Sequence, residues 1–263
     1  MNKRLCISCE NPIQKRAKEH VIADWLLKEL GIGEEQLWQF IADSTTGQAK
    51  EARTLHALNS FKEGRVCSNC NNGWMSQLEN EVKPILLALL SGAQNPTSIP
   101  EFECSVLARW TLKTAIVLSC ATPLGHPLPR EHLKFLRDKP AMPSQVGIFA
   151  AINIPTREFG YYQRNDWPNW STEGVPDLSE SMTSQGFKLA FHLKHLLLMV
   201  AHIPRPTSRF VLAAGLHIPL WPPEPFFASY RVDLRTTEPH DIREVMEIFN
   251  NRLGALHLKN PAG

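Results

Sequence analysis

The 263-residue sequence predicts an α+β fold in which a small cysteine-bearing domain, residues 1–92, precedes a larger α+β domain, residues 101–263. Two Cys-x-x-Cys pairs lie in the first stretch, and apolar residues recur there at the three- and four-residue steps that are typical of a helix. After residue 100, one long apolar pattern is followed by shorter apolar runs that prolines interrupt. Residues 93–100 are rich in Pro, Asn and Ser, and this composition predicts a linker between the two domains.

The stretch between the cysteine pairs predicts short elements. Residues 18–22 have the pattern of a strand end. Asp24 is predicted to cap a helix over 25–30, which Gly31 ends. Residues 43–65 are polar and weakly patterned, so we expect irregular structure or short strands there.

Apolar spacing predicts the longer elements. A helix is expected from Asn71 to about Gly92, and Pro84 marks a point where it can break. The pattern over 104–120 leaves little polar face and predicts a buried helix, from which Lys113 is expected to extend to solvent. The remaining expected elements are strands over 146–154, 210–218 and part of 189–203, and a helix over 242–253.

The composition indicates a folded protein and excludes several classes. The hydrophobic fraction is 43%, the charged fraction is 21% and the formal net charge is +2, so the chain is not of the disordered type. No run reaches the roughly 18 apolar residues of a membrane span. The first residues lack the apolar core of a secretory signal. We therefore expect no membrane partner and a cytoplasmic location.

The overall charge gives little support for a nucleic-acid partner. Proteins that bind nucleic acid usually carry a strong basic excess, because neutralised phosphates release counterions. A local basic excess lies in the first 18 residues, where the single acidic residue Glu10 stands against Lys3, Arg4, Lys15, Arg16 and Lys18. This basic patch can be a binding surface for nucleic acid, but it can equally be a chain terminus whose charged side chains are simply solvated.

Four of the six cysteines form two Cys-x-x-Cys pairs, Cys6 with Cys9 and Cys67 with Cys70. In a cytoplasmic chain such pairs favour metal binding over disulfides, and together they supply the four thiolates of a tetrahedral zinc. The long loop between the two pairs adds little to the free-energy cost of bringing them together, since the entropy of loop closure grows only with the logarithm of loop length. A four-thiolate zinc is coordinatively closed, so it is expected to hold the fold and to do no chemistry. A redox role is disfavoured because Pro12 follows Cys9 where that motif needs a helix.

Three polar residues lie close to the cysteine pairs in the sequence. Glu19 and His20 stand between the pairs, and Asn71 directly follows the second pair. This order, with the segments 18–22 and 67–79, resembles the HNH endonucleases, the zinc-bearing branch of the ββα-metal nucleases. The resemblance covers about a third of the chain. It implies a ββα-metal domain in which His20 is the general base, while Glu19 and Asn71 hold a catalytic divalent cation, Mg²⁺ or Mn²⁺.

The chemistry of these residue types agrees with that assignment. A neutral histidine is a suitable base near neutral pH. Carboxylate and amide oxygens are hard ligands that suit Mg²⁺ or Mn²⁺. Adjacent side chains of a strand point to opposite faces, so Glu19 and His20 can act together only where the strand is irregular. We expect such an irregularity at this strand end.

The sequence departs from the family pattern at several positions. Glu19 stands where Asp or His is usual, and Met75 stands where a second His is typical. Asn59 is the candidate for the middle Asn of the pattern, and Glu79 is interpreted as a structural residue rather than a ligand. Two tryptophans are expected in the core around the zinc rather than as platforms for bases; they are Trp25 and Trp74.

The sequence therefore predicts a metal-dependent endonuclease that hydrolyses phosphodiester bonds in DNA. The alternative is a non-catalytic zinc-binding adaptor for nucleic acid or protein. Because some phage and mobile-element proteins look similar over residues 67–79, the resemblance also suggests a role in defence or element mobility. The second domain shows no recognised metal or triad spacing, so its partner stays open between DNA, a protein and a small-molecule signal.

Overall fold

The structure is a computed structural model that describes residues 4–13, 16–42, 49–122, 130–143, 146–153, 158–164, 187–202, 218–221, 236–237 and 253–258. Helices and strands are mixed in these ranges, which confirms the α+β class. The strands are β1 (Arg16–His20), β2 (Gln36–Ala42), β3 (Ala49–Ala57), β4 (Lys62–Cys67), β5 (Val146–Asn153), β6 (Phe159–Arg164), β7 (Phe187–Leu193), β8 (Leu196–His202), β9 (Ile218–Trp221), β10 (Thr236–Thr237) and β11 (Leu253–Leu258). The helices are α1 (Asp24–Leu30), α2 (Ser68–Cys70), α3 (Ser76–Leu90), α4 (Glu101–Ala121) and α5 (Glu131–Asp138). A π-helical turn, Asn71–Met75, joins α2 to α3.

The described strands form two sheets. β1 and β4 make a separate antiparallel pair, and the other strands make one large sheet. The order in the large sheet is β10-β5-β8-β7-β6-β11-β2-β3, and β9 also pairs with β5. β11 lies between β6 and β2 and is antiparallel to both. The last described strand therefore joins β2 and β3 to the sheet of the second predicted domain.

The core also crosses the predicted boundary between the domains. Helix α3 packs on α4, and one buried apolar cluster contains residues from both sides of the boundary, among them Leu26, Leu86, Leu112 and Phe191. The expected linker 93–100 contains a short 3-10 turn, Pro96–Ser98, where the Asn95 side chain accepts a hydrogen bond from Thr97 N at 2.9 Å. The division into two folding units stays a prediction, whereas the described residues share a continuous core.

Helix α4 lies at the centre of this core. Trp110, Leu112 and Ile116 are fully buried, which confirms the predicted buried helix. Among the described helices, α4 is long and apolar enough to cross a membrane by length and composition alone, and 78% of its most apolar stretch is buried inside the protein. Such burial is typical of the central helix of a folded core. Lys113 is also buried, with 1% of its side chain exposed, so the expectation that it extends to solvent is wrong.

Helix α1 begins one residue earlier than the sequence predicts. Asp24 is its first residue rather than its cap, and no side chain caps the amide groups at its start. The Asp24 carboxylate instead lies 2.6 Å from Lys28 Nζ, one turn further along. Gly31 ends the helix with φ 69°, in the left-handed region that glycine adopts without strain, as expected.

Two further expectations for the first domain need correction. The described part of the weakly patterned range 43–65, where irregular structure or short strands are expected, forms β3 and the start of β4, and β3 is longer than expected, with nine residues that pair with β2. Helix α3 does not break before Pro84 but continues through it. Because Pro84 is exposed, the carbonyl that loses its amide partner can bond water. The kink lies earlier, at Gly73, whose φ of −96° and ψ of −114° are not helical.

The described residues of the second predicted domain contain two of the three expected strands. The strand predicted over 146–154 is present as β5. The predicted strand region 189–203 forms the antiparallel hairpin of β7 and β8. Lys194 makes the turn of this hairpin with φ 50°. The expected strand 210–218 and helix 242–253 lie outside the described residues except at their last positions, where β9 and β11 begin.

Candidate metal centre and adjoining histidine site

Four cysteine side chains from the two Cys-x-x-Cys pairs converge. The Sγ atoms of Cys6, Cys9, Cys67 and Cys70 all lie within 4.8 Å of one another. Those of Cys9 and Cys67 are 3.7 Å apart. A tetrahedral zinc with Zn–S bonds of about 2.3 Å separates its sulfur ligands by about 3.8 Å. The cluster therefore has the donor atoms and the spacing to hold a structural zinc ion, as the sequence predicts.

The local backbone explains why these side chains converge. Glu10 N donates to the Cys6 carbonyl, and Cys6 N donates to the Asn11 carbonyl, each at 2.9 Å. Glu10 completes this tight turn with φ 60°. At the second pair, Cys70 N lies 3.5 Å from Cys67 Sγ, and Cys67 N lies 3.4 Å from Cys6 Sγ. Amide groups directed at sulfur stabilise the thiolate, which is the form that binds metal.

The thiols of the cluster differ in acidity. Burial raises the pKa of Cys6, but backbone amide groups of Cys67, Cys9 and Ser8 outweigh it and bring that pKa to about 7. Burial is the main cause that raises the pKa of Cys70 to about 12. Thiolates packed this closely repel one another, so a divalent cation at their centre would stabilise the charged form of all four.

Helix α5 of the second domain packs on the first cysteine turn. Arg137 Nη1 donates to the Ser8 carbonyl at 2.9 Å. Lys134 Nζ lies 2.9 Å from Glu10 Oε2. Trp74 Nε1 donates to Ser8 Oγ at 3.2 Å, and Trp74 packs against the core, as expected. Side chains from both predicted domains thus contact the turn that carries Cys6 and Cys9 of the candidate metal centre.

The strand pair β1–β4 connects the cysteine cluster with His20. Its register pairs Arg16 with Cys67 at one end and His20 with Lys62 at the other. The register shifts just before Glu19, at the strand end where we expect an irregularity. The side chain of Glu19 lies outside the described part of the structure, so its cooperation with His20 stays a prediction.

His20 is half-buried and lies among charged groups of both signs. Burial is the main cause that lowers its pKa below the usual value, and the ammonium groups of Lys62 and Lys28 lower it further. The carboxylates of Asp24 and Glu79 act in the opposite direction without reversing the shift. The imidazole is therefore neutral at neutral pH, which is the form that a general base requires.

Asn71 follows the cysteine cluster directly, and no hydrogen bond in the described part of the chain joins it to His20. Its Nδ2 donates to Asn72 Oδ1 at 3.1 Å, whereas its Oδ1 is buried without a partner. The register places Cys67 and His20 at opposite ends of the strand pair, about 16 Å apart along the strand. The cooperation of Asn71 with His20 at one cation therefore stays a prediction, as it does for Glu19.

Two further candidate residues are engaged by other protein groups. Asn59 Nδ2 donates to Glu34 Oε1 at 2.6 Å, and Asn59 Oδ1 accepts from Ser60 Oγ at 3.2 Å. Glu79 Oε1 accepts from the buried Lys113 Nζ at 2.7 Å, in keeping with the structural role that we expected for it. Both side chains are thus held by contacts with other protein groups.

Sequence reasoning did not identify the charged residues that surround His20. Lys62 lies opposite it across the strand pair, and Lys113 holds Glu79 from helix α4. A local pattern shows that a strand exists but not which residue of another strand faces it. The charged neighbours of His20 can therefore be identified only when the tertiary structure, including the pairing of β1 with β4, is known.

Comparison of the chain with models of known protein families, with characterised proteins and with solved structures gives no match. The likeness to HNH endonucleases therefore rests on the short motifs at 18–22 and 67–79. The structure establishes the coarser description: an α+β chain whose four clustered cysteines could bind zinc.

Proposed function

We propose that this chain is a metal-dependent endonuclease that hydrolyses phosphodiester bonds in DNA. The main support is the position of His20, which ends a strand whose partner, β4, leads into the second half of the cysteine cluster. A closed four-thiolate zinc would hold the far end of this strand pair and leave the chemistry to neighbouring side chains.

His20 is suited to accept the proton of an attacking water molecule. Its imidazole is neutral at neutral pH, so a ring nitrogen has a lone pair available. In this proposal Glu19 and Asn71 hold Mg²⁺ or Mn²⁺, which would stabilise negative charge on the phosphate. The buried Oδ1 of Asn71 is compatible with that assignment, since a buried oxygen without a protein partner can be satisfied by a cation or by a water molecule.

Plasmid cleavage by the full chain tests the proposal. We expect the wild type to nick or linearise supercoiled DNA when Mg²⁺ or Mn²⁺ is added. His20→Ala should lower the rate at least about 100-fold, as loss of a general base does. His56→Ala is the matched control, because His56 is an exposed histidine on β3 and should keep full activity. Asn71→Ala should raise the concentration of divalent metal that cleavage requires.

Zinc content and thermal unfolding must be measured on the same samples. His20 is not part of the cysteine cluster, so His20→Ala should retain zinc and fold like the wild type. Equal cleavage by the wild type and His20→Ala would rule out His20 as the base. A wild type that binds zinc but cuts with neither metal would favour the alternative, a zinc-binding adaptor, for which the cysteine cluster is sufficient.

A further inference from the structure

Several lysines surround the His20 site, and most of them are engaged by neighbouring side chains. Lys28 and Lys113 pair, at 2.6 and 2.7 Å, with the two carboxylates that act on His20. Lys62 is exposed, as Lys28 is, but no ion pair of its ammonium is found within the described residues.

Lys62 is the cross-strand neighbour of His20. Directly opposed residues of antiparallel strands point to the same face, with their Cβ atoms about 4.5–5.5 Å apart. The imidazole is half-buried while the lysine is exposed. A ligand that contacts the His20 imidazole therefore lies near the Lys62 ammonium, whose charge acts on that imidazole.

We propose that Lys62 binds the phosphodiester backbone of DNA next to His20 and is thus a substrate-binding residue. This inference rests on the proposed nuclease function and names a group that holds the substrate there. The Lys62 charge acts on the Asp24 carboxylate, but the ion-pair partner of Asp24 is Lys28 and that of Glu79 is Lys113. The exposed Lys62 ammonium can therefore still attract a phosphate oxygen. A lysine contacts phosphate as a point charge and reads no base, so Lys62 contributes affinity without sequence preference.

DNA binding by the full chain tests this role without depending on cleavage. The probe is a short fluorescent DNA duplex of mixed sequence, titrated by anisotropy at several salt concentrations without added Mg²⁺ or Mn²⁺. Lys62→Gln should weaken binding about five-fold at low salt and reduce the slope of log K against log salt by about 0.9, the value for one phosphate contact. Lys62→Arg keeps the charge and should bind like the wild type.

Lys139→Gln controls for net charge, because it removes the same charge from an exposed lysine just after α5. Its salt slope should equal that of the wild type. An unchanged slope for Lys62→Gln, or an equal decrease for Lys139→Gln, would overturn the inference.

The cleavage assay separates this inference from the proposed function. A chain that cuts DNA but binds it independently of Lys62 contradicts the role of Lys62 alone. A chain that binds DNA through Lys62 but does not cut contradicts the nuclease alone. A chain that neither binds nor cuts DNA contradicts both.

Discussion

The Lys113 ammonium lies 2.7 Å from a carboxylate oxygen of Glu79, and 1% of the lysine side chain is exposed. The pair joins α4 of the second predicted domain to α3, the helix that follows the cysteine cluster. Glu79 in turn acts electrostatically on the His20 imidazole. Because a charge so deeply buried is stable only with a partner, this contact links the two parts of the chain beside the candidate site.

Removing one member of this pair should cost more stability than removing both. Lys113→Met leaves the Glu79 carboxylate without its buried partner and should lower the free energy of unfolding by about 2–4 kcal/mol. Combining it with Glu79→Leu should restore much of that loss, because no uncompensated charge remains. Urea unfolding followed by circular dichroism measures both effects.

The matched control for this pair is Lys28→Met, which breaks the exposed pair with Asp24. Its effect should lie within the error of the measurement, since exposed ion pairs contribute little. A double variant that is less stable than Lys113→Met alone would show that the pair is net stabilising and would contradict the prediction.

Zinc content should depend on every member of the cysteine cluster. The purified wild type should carry about one zinc ion per chain, and Cys67→Ser should lose it and destabilise the strand pair β1–β4. Atomic emission after gel filtration gives the zinc content, and thermal unfolding gives the stability. Cys104→Ser is the control, because Cys104 lies outside the cluster and its Sγ contacts the Ile99 carbonyl at 3.6 Å. Full zinc content in Cys67→Ser would rule out four-thiolate coordination.

Arg137 should slow the release of zinc. Its guanidinium donates to the Ser8 carbonyl, and its charge acts on the thiols of Cys70 and Cys9. Nearby positive charge stabilises thiolates, so Arg137→Met should speed the transfer of zinc to a coloured chelator about three- to ten-fold.

The control for Arg137 is Lys139→Met, which removes a cation that lies over the Phe135 ring, 5.1 Å from its centre. Equal transfer rates for the wild type and both variants would show that the charge of Arg137 has no influence on the metal centre.

Two buried histidines should make the protein less stable in mild acid. The pKa of His132 and that of His192 are each lowered from 6.5 to about 4, mainly by burial, and the neighbouring His202 contributes to the shift of His132. Between these pH values the unfolded chain binds more protons than the folded chain. The free energy of unfolding is therefore unaffected by protonation of these two histidines above pH 6.5. As the pH falls towards 4, it should decrease by up to about 3 kcal/mol for each histidine.

Urea unfolding at a series of pH values through this window checks that expectation. His132→Phe should reduce the acid-induced loss, because phenylalanine keeps the aromatic contacts with Phe187 and His202 but does not titrate. His56→Gln, at an exposed position, should leave the loss unchanged. A free energy of unfolding that is constant across the window would contradict the burial of both rings as neutral groups.

Local sequence patterns were sufficient for part of the fold and of the site. The two Cys-x-x-Cys pairs identified all four members of the cysteine cluster, because a short turn brings both sulfurs of a pair to one side. The nearly continuous apolar pattern identified α4, since a helix without a polar face must be buried. Gly31 marked the end of α1 through its freedom to adopt positive φ.

The remaining features depend on contacts between distant segments, which local patterns do not contain. The position of Lys62 opposite His20 follows from the register of β1 and β4, and a slip of one residue would change it. The burial of Lys113 requires Glu79 on another helix. Asn71 follows Cys70 in the sequence, but that order says nothing about its distance from His20 across the strand pair.

The pairing of β11 with β2 has a consequence for how this chain can be divided. Backbone partners run from Leu253 opposite Ala42 to Leu258 opposite Leu37. A fragment cut after residue 92 would leave that side of β2 bare, with a row of amide and carbonyl groups ready to join a strand from another molecule. Such a fragment is expected to self-associate because the strand is missing. In the full chain, residues 253–258 occupy this edge of β2 and prevent other strands from pairing with it.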